Sequence, residues 1–216
     1  IWNWNKMTQI CLDFDDWSVL NNRMDLLLRL RESYPKLKVS LFTIPCDYVY
    51  EGDLNASLLR KDTLAMIKKN LDWIEIIPHG LLHTNKEFEK CTYETMIENV
   101  LPAIDETFKK DGLPYVKGFK APYWLWNKEV VMALNDSGWW GAIDRKGAYG
   151  DMVPERYYRY THGIDEWFSE SNLPVLKLHG HITGASNNGI ERCFANLFRM
   201  PTDVEFKFAS ELLETK

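Results

Sequence analysis

Apolar and polar positions along the chain switch repeatedly between strand-like and helix-like spacing. Ile10-Cys11-Leu12 is a short apolar run that stops on the carboxylates Asp13, Asp15 and Asp16, and it reads as a first strand. From Val19 to Tyr34, the residues Leu20, Met24, Leu27, Leu28 and Leu30 fall at helical spacing before Pro35. Lys38 to Ile44 is a strand ended by Pro45, and a polar loop, Cys46 to Asn55, leads to a helix over Leu58 to Leu71. Trp73 to Ile77 gives a third strand, Tyr93 to Lys110 a long helix stopped by Asp111-Gly112, and Tyr115 to Phe119 a fourth strand. A helix over Lys128 to Asp136 and a fifth strand over Trp139 to Ile143 follow. Asp144 to Ser171 has little periodicity, and its segment Tyr157-Tyr158-Arg159-Tyr160 reads as an irregular packed loop. Leu173 to Leu178 resumes as a strand, Ile190 to Phe198 as a helix, and Val204 to Phe208 as a last strand before a short helix ending near Leu213.

Strands separated by helices of this size imply parallel pairing through right-handed crossovers, an α/β fold. No repeat, low-complexity tract or linker divides residues 1–216, so one domain is expected. With 216 residues, 45% of them hydrophobic and 26% charged, the chain is long enough for a substantial core and has a globular composition. A formal net charge of -5 gives no basic surface for a polynucleotide, so nucleic acid is not an expected partner. No apolar run is long enough to span a bilayer. No signal peptide is visible, but the chain begins at Ile1 instead of Met, which leaves the compartment open. Cys11, Cys46, Cys91 and Cys193 are scattered, which suits reduced, mostly buried thiols. The nine tryptophans supply core, and some suit stacking on sugar faces.

In an α/β fold with parallel strands, chemistry collects beyond the carboxyl ends of the strands. Those ends carry Asp15-Asp16, His79, Lys120-Ala121-Pro122-Tyr123, Asp144-Arg145 and His179-Gly180-His181. His79 and His83 stand four apart, a spacing that puts both rings on one face of a helical turn, where they can grip one metal ion. Adding a carboxylate, with Asp16 the natural choice, makes a set of two histidines and one acid that leaves coordination positions open.

These motifs resemble, in order and over most of the chain, those of the polysaccharide deacetylases, the NodB-like carbohydrate esterases of family 4. Phe14-Asp15-Asp16 is similar to the first family motif, His79-Gly80-Leu81-Leu82-His83 to the second with Gly80 in a Ser/Thr place, and Phe119-Lys120-Ala121-Pro122-Tyr123 to the third with Lys120 in an Arg place. Trp139 to Asp144 and Val175 to His179 are similar to the fourth and fifth. The resemblance implies an irregular (β/α) barrel of about seven parallel strands and a metal-dependent hydrolase that removes an N-acetyl or O-acetyl group from an amino sugar or polysaccharide. It implies Asp15 as general base, Asp16, His79 and His83 as ligands of a divalent ion (zinc first, with cobalt or nickel possible), and His179 as general acid. Lys120 would orient Asp15, Asp144 would tune His179, and the Tyr123 N–H would hold the oxyanion. Trp139 or Trp140 would wall an acetyl pocket, Trp124 would offer a sugar platform, and His181 is a second candidate for the work of His179. The expected partner is a carbohydrate or another N-acylated small molecule. Two other classes fit the same residues: a catalytically impaired, glycan-binding relative, favoured by Lys120 and Gly80, and a non-haem iron oxygenase.

Overall fold

β1 (Gln9–Trp17) runs through its three carboxylates instead of stopping at them. The computed structural model describes residues 9–46, 54–166, 173–182 and 187–216. Most of the predicted polar loop over 46–55 and the end of the irregular stretch reaching Ser171 therefore lie outside the described residues. In chain order β1 is followed by α1 (Met24–Ser33), β2 (Val39–Thr43), α2 (Leu54–Lys68) and β3 (Ile74–Pro78). α3 (Tyr93–Thr95) passes through a π turn (Met96–Val100) into α4 (Leu101–Asp111), ahead of β4 (Gly118–Phe119), α5 (Lys128–Asp136) and β5 (Trp140–Ile143). β6 (Arg156–Arg159), β7 (His162–Gly163), β8 (Val175–His181), α6 (Ile190–Leu197), β9 (Glu205–Lys207) and β10 (Glu214–Thr215) complete the order.

The strands form two sheets. One has the order β3-β2-β1-β8-β7 with β9 also on β1; the other has the order β10-β6-β5-β4. Among the described residues every strand pairing is parallel except that of β10 with β6. The sheets touch where β3 meets β4: Val116 N–H donates to Ile76 O at 2.9 Å, and Lys120 N–H to Pro78 O at 3.1 Å. They approach again past β6, where Thr161 N–H donates to Lys177 O at 2.8 Å. The α/β class and mainly parallel pairing are as predicted, but the strands are two sheets joined by single bonds, not one continuous ladder. Two of the additional strands, β6 and β7, arise in the stretch read as irregular: the tyrosines of β6 pair through their backbone with β5, and the two residues of β7 pair with β8.

Alternation then sorts the side chains. Ile10, Leu12, Phe14, Leu41, Ile76, Leu176 and Leu178 point into the large core shared with the helices. The opposite face carries Cys11, Phe42, Ile77, Trp140, Ala142 and Tyr158 in a second, smaller core, closed beneath by Ala209. That inner face also holds the buried polar residues Asp13, Asp15, Ser40, Glu75, Lys177 and His179. All four cysteines are free, with Cys11 and Cys193 buried and the other two part-exposed. Among the described residues, no helix is long and apolar enough to cross a membrane.

Candidate active site

The register of β1 against β8 pairs Asp13 with His179 and Asp15 with His181. Because these positions share the inner face, two acids and two imidazoles stand side by side at one end of the sheet. Asp13 Oδ1 is 2.7 Å from His179 Nδ1, and Asp13 Oδ2 accepts the Tyr158 hydroxyl at 2.7 Å. Asp13 is fully buried.

Strict alternation would turn Asp16 away from Asp15. The ladder to β2 slips between Phe14 and Trp17, and Asp16 adopts a left-handed backbone with φ 63°. This irregularity turns Asp16 back toward the histidines. Its Oδ1 lies 2.9 Å from His83 Nε2 and 3.5 Å from His79 Nε2.

His79 and His83 are not on a helical turn, contrary to the expectation from their spacing. His79 follows β3 and bridges to Lys120, while Gly80 (φ 65°) and His83 (φ 56°) bend the chain sharply between them. A side chain at Gly80 would meet Glu87 Oε2 and Pro122 Cγ, each at 2.7 Å, so glycine is required here. Glu87 Oε1 accepts the N–H groups of Leu81 at 3.2 Å and Leu82 at 2.9 Å, and so supports the loop in place of a motif hydroxyl. His79 Nδ1 lies 3.1 Å from Lys120 O. A carbonyl only accepts, so the ring proton sits on Nδ1 and the Nε2 lone pair faces Asp16.

Lys120 is almost wholly buried, and its Nζ is 2.6 Å from Asp15 Oδ1. It lies over the rings of Trp124 at 3.8 Å and Phe42 at 4.5 Å, so aromatic faces replace part of the hydration an ammonium loses on burial. Burial pushes the Asp15 carboxyl up, but Lys120, His79, His179 and His181 together hold it down at about 2. Burial likewise opposes ionisation of Asp16, and His79 and His83 overcome it and hold that carboxyl far below the usual range. His83 is driven down by burial but raised further by Asp16, for a net rise. His181 is lowered, chiefly by burial.

Some of the expected site residues lie elsewhere. Asp144 does not touch His179: its Oδ1 accepts the Tyr160 hydroxyl at 2.7 Å, and Tyr160 lays its ring 4.8 Å from His179. The carboxylate on His179 is instead Asp13, a residue the sequence offered in plain sight but whose role depends on strand register. Trp139 is in the large core against Tyr115, because it precedes β5 on the helix-facing side. Trp140 faces the inner core beside Phe42 and Tyr158, one ring below the site. Trp124 packs edge-on to His179 at 5.5 Å. Tyr123, 58% exposed, lies 5.7 Å from His83 and has a left-handed backbone. His181 faces Asp15 Oδ2 at 3.9 Å.

Asp16, His79 and His83 each bring a ligand atom within 4.8 Å of the others. Two imidazole nitrogens and one carboxylate oxygen, with His79 oriented through its other nitrogen, fit a divalent ion of the zinc class.

No family model matches the sequence, and no curated protein matches it. Solved structures do match. The CE4 domain of a multidomain xylanase from the hindgut metagenome of Trinervitermes trinervoides superposes with a TM-score of 0.59 at 14% identity, covering 95% of this chain and 89% of that one. A family 4 acetyl xylan esterase from Clostridium thermocellum, in complex with a cobalt ion, gives 0.54 at 13% identity, over 94% and 89% of the two chains. A CE4 family pseudoenzyme from Bacillus anthracis gives 0.56 at 15% identity, over 96% and 65%. The chain has the NodB-like fold of carbohydrate esterase family 4.

Proposed function

We propose that the protein is a metal-dependent hydrolase that removes an acetyl group, on nitrogen or on oxygen, from an amino sugar or polysaccharide. The observation that carries this reading is the meeting of Asp15, Asp16, His79, His83 and His179 from β1, the end of β3 and β8, with Asp15 Oδ2 3.6 Å from His79 Nε2 and 3.8 Å from His179 Nε2.

A divalent ion held by Asp16, His79 and His83, zinc first with cobalt or nickel able to replace it, would polarise the acyl carbonyl and lower the pKa of water at the site. Asp15 Oδ2 faces the same space and accepts the proton of the attacking water, while Lys120 on Oδ1 fixes the carboxylate's orientation. The Tyr123 N–H, on its left-handed backbone, donates to the developing oxyanion. Asp13 anchors His179 Nδ1–H and aims Nε2 at the departing amine or alkoxide, to which it gives a proton. His181 is the weaker candidate for that role, because burial lowers its pKa and leaves the ring neutral near pH 7. The Trp124 and Tyr123 rings supply faces for a sugar.

A second reading, a glycan-binding relative without turnover, is favoured by one observation. A general base works best with a pKa near the working pH, and the buried Lys120 ammonium, 2.6 Å from Asp15 Oδ1, favours the ionised carboxylate and weakens it as a base. The pseudoenzyme from Bacillus anthracis has the same fold. Acetate release from N-acetylglucosamine oligomers and from acetylated xylan, with zinc, cobalt or nickel present, separates the two. Turnover by the wild type that Asp15→Asn loses supports the hydrolase, whereas a wild type as silent as Asp15→Asn leaves the binder.

A further inference from the structure

A second ligand-type cluster adjoins the first. Asp15, His179 and His181 also bring one ligand atom each within 4.8 Å of one another. Asp15 Oδ2 stands 3.8 Å from His179 Nε2 and 3.9 Å from His181 Nε2. Around a tetrahedral ion with bonds of about 2.0–2.1 Å, ligand atoms lie roughly 3.3 Å apart, so small side-chain rotations would close the set.

Both imidazoles are oriented for coordination. His179 Nδ1 faces Asp13 Oδ1 at 2.7 Å, and His181 Nδ1 faces Asn188 Oδ1 at 2.9 Å. Each partner atom is an acceptor, so each ring points an Nδ1–H at it and turns Nε2 toward Asp15, where a bound ion would displace the proton that His179 delivers. Histidine ligands of metals are held in this way by a hydrogen bond from the other ring nitrogen. Lys120 Nζ, 3.5 Å from His179 Nδ1, faces a protonated nitrogen and makes no hydrogen bond to it. Lys120 occupies Oδ1 of Asp15 at 2.6 Å and leaves Oδ2 to face His179 and His181 on one side and His79, at 3.6 Å, on the other.

We propose that Asp15, His179 and His181 form a second divalent-cation site, weaker than the site on Asp16, His79 and His83, and that filling it inhibits turnover. Its weakness follows from charge. The carboxylates of Asp13, Asp15 and Asp16 are balanced by Lys120 and one divalent ion, so a second ion enters surroundings already neutralised. Inhibition follows because the second ion takes the oxygen and the nitrogen that move protons. That consequence rests on the hydrolase reading; the binding does not.

Equilibrium dialysis of the full chain against increasing zinc, followed by metal quantitation, tests the site. The wild type is expected to take up one ion and then, at higher zinc, a second. His181→Gln stops at one ion with the first step unchanged. Asn188→Leu, which removes only the acceptor on His181 Nδ1, weakens the second step by about 10–100-fold and leaves the first alone. Acetate release should rise through the first step and fall through the second, with the fall blunted in Asn188→Leu. A wild type that saturates at one ion overturns the proposal, as does a second step untouched by both substitutions. Two-step binding with no acetate release at any zinc concentration would remove the hydrolase reading and leave this site standing.

Discussion

Asp13 Oδ1 and His179 Nδ1 lie 2.7 Å apart across the β1–β8 pairing, so the group that orients the proposed acid comes from the same strand as the proposed base. Asp13→Asn keeps the shape and removes the charge. It is expected to lower kcat about 10–100-fold, the range for outer partners of catalytic histidines and metal ligands, with KM little changed and the urea midpoint showing a retained fold. An unaltered kcat would mean that His179 needs no help from Asp13.

The buried pair of Lys120 and Asp15 makes a prediction in two readouts. Lys120→Met leaves the Asp15 carboxylate buried without its ammonium, a loss of about 3–5 kcal/mol in unfolding free energy for a buried pair broken on one side. With the cation gone, burial pushes Asp15 up from about 2. The base then ionises at higher pH, and the acid limb of the pH–rate profile moves to the right. A limb that stays in place would show that Asp15 is not the group it reports.

Gly80 invites a repair that should fail. Gly80→Ser restores the hydroxyl of the family motif, but at φ 65° its Cβ would stand 2.7 Å from both Glu87 Oε2 and Pro122 Cγ. The expected result is a loss of about 1–3 kcal/mol by denaturant unfolding and weaker zinc binding through the displaced His83 loop. Tighter binding would mean that Glu87 is a poor substitute for the hydroxyl.

Beneath the site, Glu75 accepts the Ser40 and Ser210 hydroxyls, each at 2.6 Å. Burial raises its carboxyl above the ordinary 4.5. A folded state that holds a proton more tightly than the unfolded chain gains stability that is complete below 4.5 and lost as pH rises through the folded value. Glu75→Gln should remove that dependence, so its unfolding free energy relative to wild type improves between about pH 4 and about pH 7. A difference constant over that range would mean that Glu75 titrates as it does in the unfolded chain.

Much of this arrangement could be read from the chain, and the part that could not has a common cause. Short apolar runs closed by Pro45 and Pro78 marked β2 and β3, and the helix read over Lys128 to Asp136 is α5 at its observed bounds. The grouping of Asp15, Asp16, His79, Lys120 and His179 followed from their positions at strand ends. What failed depended on pairing register or on backbone angle. Asp13 carried no role in the sequence until β8 set His179 beside it. The spacing of His79 and His83 suggested a helix, but the carbonyl of Lys120 and the φ of Gly80 made a loop instead. β6 and β7 were missed because their stabilising contacts come from distant strands.

The slip of β1 against β2 between Phe14 and Trp17 has an implication for chain length. Two neighbouring acids share one chamber only because the strand spends an extra residue there. Deleting a single position in that interval would straighten the ribbon and rotate one of them out among the helices. In relatives of this chain, spacing at this point is therefore expected to be fixed even where the residue types around it drift.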